Sequence, residues 1–286
     1  MRTDGRRSTE VDVMARLKGR NQIRRFRQVA EKLVPKITIH KGVSGVVVAG
    51  GLARGFADQY SDVDITVFLS KRNKKLKKEI RKLGFDEQRI AHVDIDLEVH
   101  FLQDFRKRKL SEMQKWDFSQ TEIIFDPEGE IRRLLTDKVR VPKSYWVRRV
   151  VVYSELLKWY CCPPETRIGT IAEAWVERGD LVSAHYCTDY SLDLIIRVLF
   201  ALNREFLPPP KWRIYYSYNL RWLPKGYGEL LKEIMLVHEL SLSELGRRLN
   251  ALRELWYEIL PKIEKETGLT PSSISRYYVQ RILHQR

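Results

Sequence analysis

The feature that most restricts the fold of this chain is a valine-rich segment that runs into two glycines and then, after ten intervening residues, into two aspartates. Gly45–Ala49 has the length and the β-branched content of a buried strand. Glycine has no side chain, so the backbone at Gly50 and Gly51 lets another group approach closely. Asp62 and Asp64 stand two residues apart at the start of a second predicted strand. Their carboxylates therefore project from the same face, side by side.

A third predicted strand, Val93–Phe101, has the clearest alternation of apolar and polar residues in the chain. One face carries Val93, Ile95, Leu97, Val99 and Phe101, and the other carries His92, Asp94, Asp96, Glu98 and His100. If this strand lies beside the one that carries the aspartate pair, it adds further carboxylates to the same face. Neighbouring carboxylates repel each other unless a cation lies between them. Mg²⁺ binds carboxylates together with phosphate oxygens, so the pattern predicts a three-carboxylate site for one or two Mg²⁺ ions.

The remaining periodicity divides the chain into two parts. The first part reads as strands interrupted by helices, with a helix over Asp12–Val34 that ends at Pro35 and a basic helix over Asn73–Leu83. From about residue 141 the pattern is helical throughout, and Ser241 with Glu244 forms a capping box that begins a long helix. We therefore predict an α+β chain: a mixed sheet with flanking helices in residues 1–140, followed by an all-α domain in residues 141–286.

The net charge of +15 is concentrated in two segments. Residues 1–41 contain twelve Lys and Arg against four Asp and Glu, and residues 71–82 contain eight against one. These segments account for the whole excess, so the rest of the chain is neutral. A concentrated basic face favours a polyanionic partner, which is either RNA or the phosphates of a nucleotide. The alternative is a solvated helix surface.

Other classes of protein fit the sequence poorly. The longest weakly polar stretch, Val43–Ala53, is far shorter than the ~20 apolar residues that a membrane span needs. No secretory signal is recognisable. The three cysteines match neither a disulfide framework nor a zinc site, so we expect free thiols in a cytoplasmic protein.

The glycine and aspartate string resembles that of the DNA polymerase β-like nucleotidyltransferase superfamily. The runs Gly51-Leu-Ala-Arg-Gly55 and Ser61-Asp-Val-Asp64 are similar to those of kanamycin nucleotidyltransferase and of small antitoxin nucleotidyltransferases. The resemblance implies that Gly50 and Gly51 cradle a nucleoside triphosphate. Arg54 and Ser61 are further candidate nucleotide contacts, and the alternative for Arg54 is a salt bridge near the turn. It implies that Asp62 and Asp64 hold Mg²⁺, two ions being expected. Glu98 is the preferred third carboxylate, with Asp96 and then Asp94 as alternatives. In the family the second glycine is usually a serine, so Gly51 lacks that hydroxyl.

The second half also resembles kanamycin nucleotidyltransferase and relatives with a helical C-terminal half, through residues 173–180, 200–204 and 210–212. By position, Glu173 is the general base toward the acceptor, and Glu155 is the alternative. The resemblance implies transfer of a nucleoside monophosphate from an NTP, expected to be ATP, to a hydroxyl acceptor with release of pyrophosphate. The acceptor is left open between a small molecule, an RNA end and a protein side chain. A homodimer is compatible with the family. The rival hypothesis is a non-catalytic, antitoxin-like protein that binds nucleic acid or a partner on the same fold.

Overall fold

The computed structural model describes residue 17 and residues 19–162 and 169–282. The chain divides into two compact units, residues 1–140 and residues 141–286. Part of the first basic segment, residues 1–16 and 18, lies outside the described residues.

The first unit contains a mixed four-stranded sheet in the order β3-β2-β1-β4. Strand β1 is antiparallel to β2 and to β4, whereas β2 and β3 are parallel. The elements, in chain order, are α1 (Ile23–Thr38), β1 (Val43–Val48), α2 (Gly50–Arg54), β2 (Val63–Leu69), α3 (Lys74–Ala91), β3 (Ile95–Phe101), α4 (Leu102–Lys107), α5 (Glu112–Ser119), β4 (Glu122–Phe125) and α6 (Glu130–Val139).

The two faces of this sheet are covered by different helices. Helices α1 and α3 pack on the first face, where Leu33 and Ile80 meet Ile65 in one apolar core. Helices α4 and α6 pack on the second face, where Phe105 joins Phe68 in a smaller core. Because side chains alternate along β2, Asp64 lies on the second face, as Phe68 does. The aspartates are therefore on the side of the sheet away from α1 and α3.

Three predicted helix boundaries are wrong. Residues 12–16 and 18 of the first predicted helix lie outside the described residues. Residues 19–22 are not helical, so the described helix α1 begins at Ile23, and it continues through Pro35 to Thr38. Val34 and Ile37 are buried in the core on either side of the proline, so packing outweighs the preference for extended backbone before proline. Helix α3 begins as predicted, since Asn73 accepts a hydrogen bond from the Leu76 N–H (3.0 Å), but it extends past Leu83 to Ala91.

The second unit is helical throughout its described residues. Its central element is α9 (Leu181–Leu202), which contacts most of the other helices of this unit. The others are α7 (Lys143–Tyr160), α8 (Ile171–Glu177), α10 (Pro210–Ser217), α11 (Tyr227–Met235), α12 (Leu242–Thr267) and α13 (Pro271–Arg281). Ser241 caps α12 as predicted by accepting from the Glu244 N–H (3.3 Å). The carboxylate of Glu244 accepts from the His238 N–H (3.0 Å) and from Arg247 instead of completing the box.

None of the described helices combines the length and the apolar character that crossing a membrane requires. Cys161, Cys162 and Cys187 are buried free thiols. Burial is the main cause that raises the pKa of Cys161 to about 12, so this thiol is protonated and unreactive at neutral pH.

Candidate active site

The turn between β1 and α2 brings the backbone of Gly50 against the carboxylate of Asp64. Gly50 has a φ of +59°, and a Cβ at this position would lie 1.6 Å from Oδ2 of Asp64. A Cβ at Gly51 would lie 2.4 Å from the carbonyl oxygen of Phe56. The Ala49 N–H also donates to the carbonyl of Asp64 (3.0 Å). Both glycines are therefore required by close packing, and the turn holds Asp64 in a fixed place.

Asp64 is partly buried and has other carboxylates close to it. Burial, the largest cause, together with the charges of Asp62 and Asp96, raises its pKa to about 6, while Arg54 opposes them. Burial and the neighbouring carboxylates disfavour the ionised form of Asp64, whereas the positive charge of Arg54 favours it. A cation at this position would relieve the repulsion and restore the ionised state.

The register of β2 with β3 determines which carboxylate of β3 lies opposite Asp64. Asp96 is the direct partner of Asp64, whereas Glu98 is the partner of Thr66, one pair further along. Burial also raises the pKa of Asp96, followed by the charges of Glu98 and Asp62. Asp62, Asp64 and Asp96 therefore form one electrostatically coupled group.

The other two candidates on this strand have partners of their own. The carboxylate of Glu98, whose side chain is 57% exposed, contacts Nε2 of His100 at 2.8 Å. Oδ1 of Asp94 accepts from the side chain of Gln88 (3.2 Å), and its backbone carbonyl accepts from the Val63 N–H (2.9 Å). Asp94 thus joins the two strands at their start.

Arg54 lies next to this group at the end of α2. Its guanidinium is 4.8 Å above the ring of Trp116 and 4.0 Å from the carboxylate of Asp117, and its side chain is 9% exposed. Trp116 and Asp117 belong to α5, about fifty positions beyond the aspartate pair. The sequence pattern contains no signal for either residue, because they reach the site only through the fold.

Ser61 fixes the turn that precedes Asp62. Its hydroxyl accepts from the Asp58 N–H (2.9 Å) and donates to Oδ1 of Asp58 (3.1 Å). The same carboxylate oxygen accepts from the Tyr60 N–H (3.0 Å). Ser61 therefore positions the first aspartate through the backbone.

The donor set fits Mg²⁺ completed by phosphate oxygens. In the described ranges, no three His, Cys, Asp or Glu side chains already converge as a finished metal site. Mg²⁺ is usually held by one or two carboxylates together with substrate phosphates, not by a protein cage. Asp62 and Asp64 provide that pair, and Gly50 packs directly against the carboxylate of Asp64.

Glu173 lies in the second unit and is engaged at both oxygens. It completes a capping box with Thr170, accepting from the Thr170 N–H (2.8 Å), and its other oxygen contacts Arg253 at 2.9 Å. Burial would raise the pKa of Glu173, but the hydrogen bonds from Thr170 and then Arg253 outweigh it and lower the pKa. A carboxylate stabilised in this way is a weaker base.

Glu155, the alternative base, is buried in α7. Its oxygens accept from Nε1 of Trp159 (3.0 Å) and from the hydroxyl of Ser275 (2.8 Å). Lys158 donates to the same hydroxyl (2.8 Å) and to the carbonyl of Pro271 (3.1 Å). These contacts fasten α13 to α7.

A cavity of about 330 Å³ lies at the edge of the sheet between α1 and β4. Its lining includes Val34, Val48 and Leu52 and the ion pair of Arg27 with Glu122 (3.3 Å). Val34, Val48 and Leu52 belong to the core of the first face. The cavity is therefore separate from the aspartates, which lie on the second face.

Residues 23–133 match the family model of the nucleotidyltransferase domain. The match includes the glycine turn, the aspartate pair and β3, which together make up the site. This part of the chain is a nucleotidyltransferase domain. The predicted family and the predicted α+β fold with a mixed sheet are confirmed.

Solved structures with similar folds include three whose relationship is distant. A nucleotidyltransferase-like protein from Exiguobacterium sibiricum is 12% identical, covers 84% of this chain and 77% of its own, and has a TM-score of 0.41. A spectinomycin adenyltransferase from Enterococcus faecialis, solved with ATP and spectinomycin, is 12% identical over 87% of this chain and 98% of its own, with a TM-score of 0.32. A chain from the complex of tri-AMPylated HEPN toxin with MNT antitoxin of Shewanella oneidensis is 12% identical over 47% of this chain and 98% of its own, with a TM-score of 0.30. No curated protein sequence matches the chain.

Proposed function

We propose that this protein transfers a nucleoside monophosphate from an NTP, with ATP as the expected donor, to a hydroxyl acceptor. The observation that supports it best is the carboxylate of Asp64, held against Gly50 beside Asp62 and Asp96 with a raised pKa. In the reaction, the acceptor oxygen bonds to the α-phosphorus, the bond to the pyrophosphate oxygen breaks, and the hydroxyl proton passes to a base. Mg²⁺, when bound, neutralises the charge that develops on the phosphate oxygens.

We assign the residues of this chain as follows. Asp62 and Asp64 hold Mg²⁺, and Asp96 is favoured over Glu98 as the third carboxylate because it faces Asp64 directly. The backbone of Gly50 and Gly51 approaches the triphosphate. Arg54 provides the positive charge beside the site, and Ser61 acts by holding the turn before Asp62. The general-base role of Glu173 remains a prediction.

The first test is calorimetric titration with ATP, CTP and GTP, with and without Mg²⁺, on the wild type and on Asp64→Asn. Asp137→Asn is the matched control, since Asp137 is exposed on α6 outside the site. We expect Mg²⁺-dependent binding that Asp64→Asn weakens and Asp137→Asn leaves unchanged. Labelled nucleotide then identifies the acceptor among small molecules, RNA ends and proteins, and light scattering tests for a homodimer. Absence of binding to every triphosphate would contradict the proposal and support the non-catalytic, antitoxin-like alternative.

A further inference from the structure

Helix α3 exposes a row of cations along the side that faces away from the sheet. Its buried positions are Leu76, Ile80, Gly84 and Glu87. At 3.6 residues per turn, the opposite side carries a set that we name the α3 stripe: Lys74, Lys78, Arg81, Lys82, Phe85 and Arg89, all of them exposed. The sequence pattern ended this helix at Leu83, so Phe85 and Arg89 join the row only in the structure.

An aromatic ring stands in the middle of these charges. Phe85 is 60% exposed. Arg81 is four residues before it and Arg89 four residues after it, so both are its neighbours on the helix surface. Aromatic side chains among cations are the arrangement by which proteins stack on unpaired bases while they neutralise the phosphates.

The cations of the α3 stripe make no ion pair within the described residues, whereas cations nearby do. Lys36 on α1 contacts Glu87 at 2.6 Å, and Arg72 contacts Asp104 at 2.5 Å. No such contact exists for Lys78, Lys82 or Arg89 in the described part of the chain. Phosphate groups of a polyanion would supply the missing counter-charge.

The arrangement favours single-stranded nucleic acid over two other polyanionic surfaces. A membrane-bound amphipathic helix buries a broad apolar face in the lipid, but the apolar face of α3 is already occupied by the sheet core through Leu76 and Ile80. A duplex keeps its bases stacked and paired, so it offers no free base for Phe85.

We propose that the α3 stripe binds single-stranded nucleic acid, with phosphates on its cations and a base on Phe85. The stripe lies on the first face of the sheet, whereas Asp62 and Asp64 lie on the second. Binding there uses none of the residues proposed to hold the nucleotide, and it goes beyond the transfer reaction proposed above.

The test is fluorescence anisotropy with labelled single strands of RNA and DNA and with an RNA duplex, at several salt concentrations. The stripe variant combines Lys78→Glu, Lys82→Glu and Arg89→Glu. The matched control makes the same charge change at exposed positions of the second unit, with Lys211→Glu, Lys225→Glu and Lys265→Glu. We expect the stripe variant to bind single strands more than tenfold more weakly than the control. Its salt slope should be smaller by about 2, since three phosphate contacts are lost.

Phe85 separates stacking from charge. Phe85→Ala should weaken binding by roughly 5- to 100-fold, the range of one base stack, without changing the salt slope. Phe85→Trp keeps an aromatic ring at this position and should bind single strands as tightly as the wild type. In both Phe85 variants and in the stripe variant, Mg²⁺-dependent ATP binding should stay as in the wild type. Failure of the proposed transfer function would therefore be distinguishable from failure of the strand-binding proposal.

Four results would overturn the proposal. Equal weakening by the stripe variant and the control would mean that net charge alone attracts the strand. Duplex binding as tight as single-strand binding, or no effect of Phe85→Ala, would remove the role of stacking. Loss of binding to phosphatidylserine vesicles in the stripe variant, with RNA binding unchanged, would assign the surface to a membrane instead.

Discussion

Gly50 and Asp64 contact each other so closely that no side chain fits between them. A Cβ on Gly50 would lie 1.6 Å from Oδ2 of Asp64 and 2.7 Å from its Cγ. The glycine thus sets the position of a carboxylate fourteen residues later in the chain. Substitutions at Gly50 should act mainly through Asp64.

Gly50→Ala should lower nucleotide transfer by about 100-fold, the size of effect that a 1 Å misplacement of a catalytic group produces. The control is Gly55→Ala. Gly55 also has a positive φ, +92°, but no atom lies within 4 Å of an added Cβ. Gly55→Ala should therefore cost about 1–2 kcal/mol of folding free energy through backbone strain while kcat stays near the wild-type value. Equal loss of kcat in the two variants would show that strain, not contact with Asp64, controls activity.

Asp64→Asn should stabilise the metal-free protein although it removes Mg²⁺-dependent binding. Burial and then Asp62 raise the pKa of Asp64 from 3.8 to about 6. The folded state therefore prefers the protonated carboxyl, and its stability falls as the pH rises from 3.8 through 6. At pH 7.5 the variant should be more stable by up to about 3 kcal/mol, and about half of this gain should remain at pH 5. Urea unfolding in EDTA measures the difference, and a less stable variant at pH 7.5 would contradict it.

Asp96→Asn and Glu98→Gln form a matched pair that identifies the third carboxylate. Asp96 faces Asp64 across the parallel strands, whereas Glu98 faces Thr66 and contacts His100. We expect Asp96→Asn to lower kcat by about 100-fold or more, as loss of an electrostatic contact to the transition state does. Glu98→Gln should change kcat less than about fivefold on the same reasoning. A larger loss of kcat in Glu98→Gln than in Asp96→Asn, measured by steady-state kinetics, would identify Glu98 as the third carboxylate, as the family resemblance implies.

Glu173→Gln distinguishes a general base from a helix cap. If Glu173 acts only through Thr170 and Arg253, the variant should lose roughly 1 kcal/mol of stability with kcat almost unchanged. Loss of a general base would instead lower kcat by about 100- to 10,000-fold. Thr170→Ala breaks the same capping box and should have the same stability and kinetics as Glu173→Gln. Because its pKa is lowered, the stabilising effect of Glu173 should be present above pH 4.5 and disappear as the pH falls below it.

The residues of the site that lie close together in the sequence could be predicted. The residue that depends on how strands β2 and β3 pair could not. Gly50, Asp62 and Asp64 lie within fifteen consecutive residues, so one strand, one turn and the next strand determine their placement. The choice between Asp96 and Glu98 depends on the register of β2 with β3, and a shift of two residues would exchange them. Periodicity places both on the same face and cannot fix that register.

The errors in the fold arise where tertiary packing outweighs a local signal. Pro35 normally marks the end of a helix, yet Val34 and Ile37 are needed in the core. Gly84 stands where a helix would end, but it lies inside α3, where a Cβ would come within 3.2 Å of Leu97. It is therefore a point of close approach between helix and strand. Strand β4 has four residues and shows too short a pattern to be recognised.

The separation of charge across the sheet has an electrical consequence. With the cations of α3 on one side and Asp62, Asp64 and Asp96 on the other, these two charged groups together form a dipole roughly perpendicular to the sheet. A polyanion that diffuses towards the protein would rotate it so that the helical side arrives first. The side with the aspartates would then still point into solvent at the moment of encounter, accessible to a triphosphate. The torque that produces this orientation should weaken as added salt shortens the Debye length to ~8 Å.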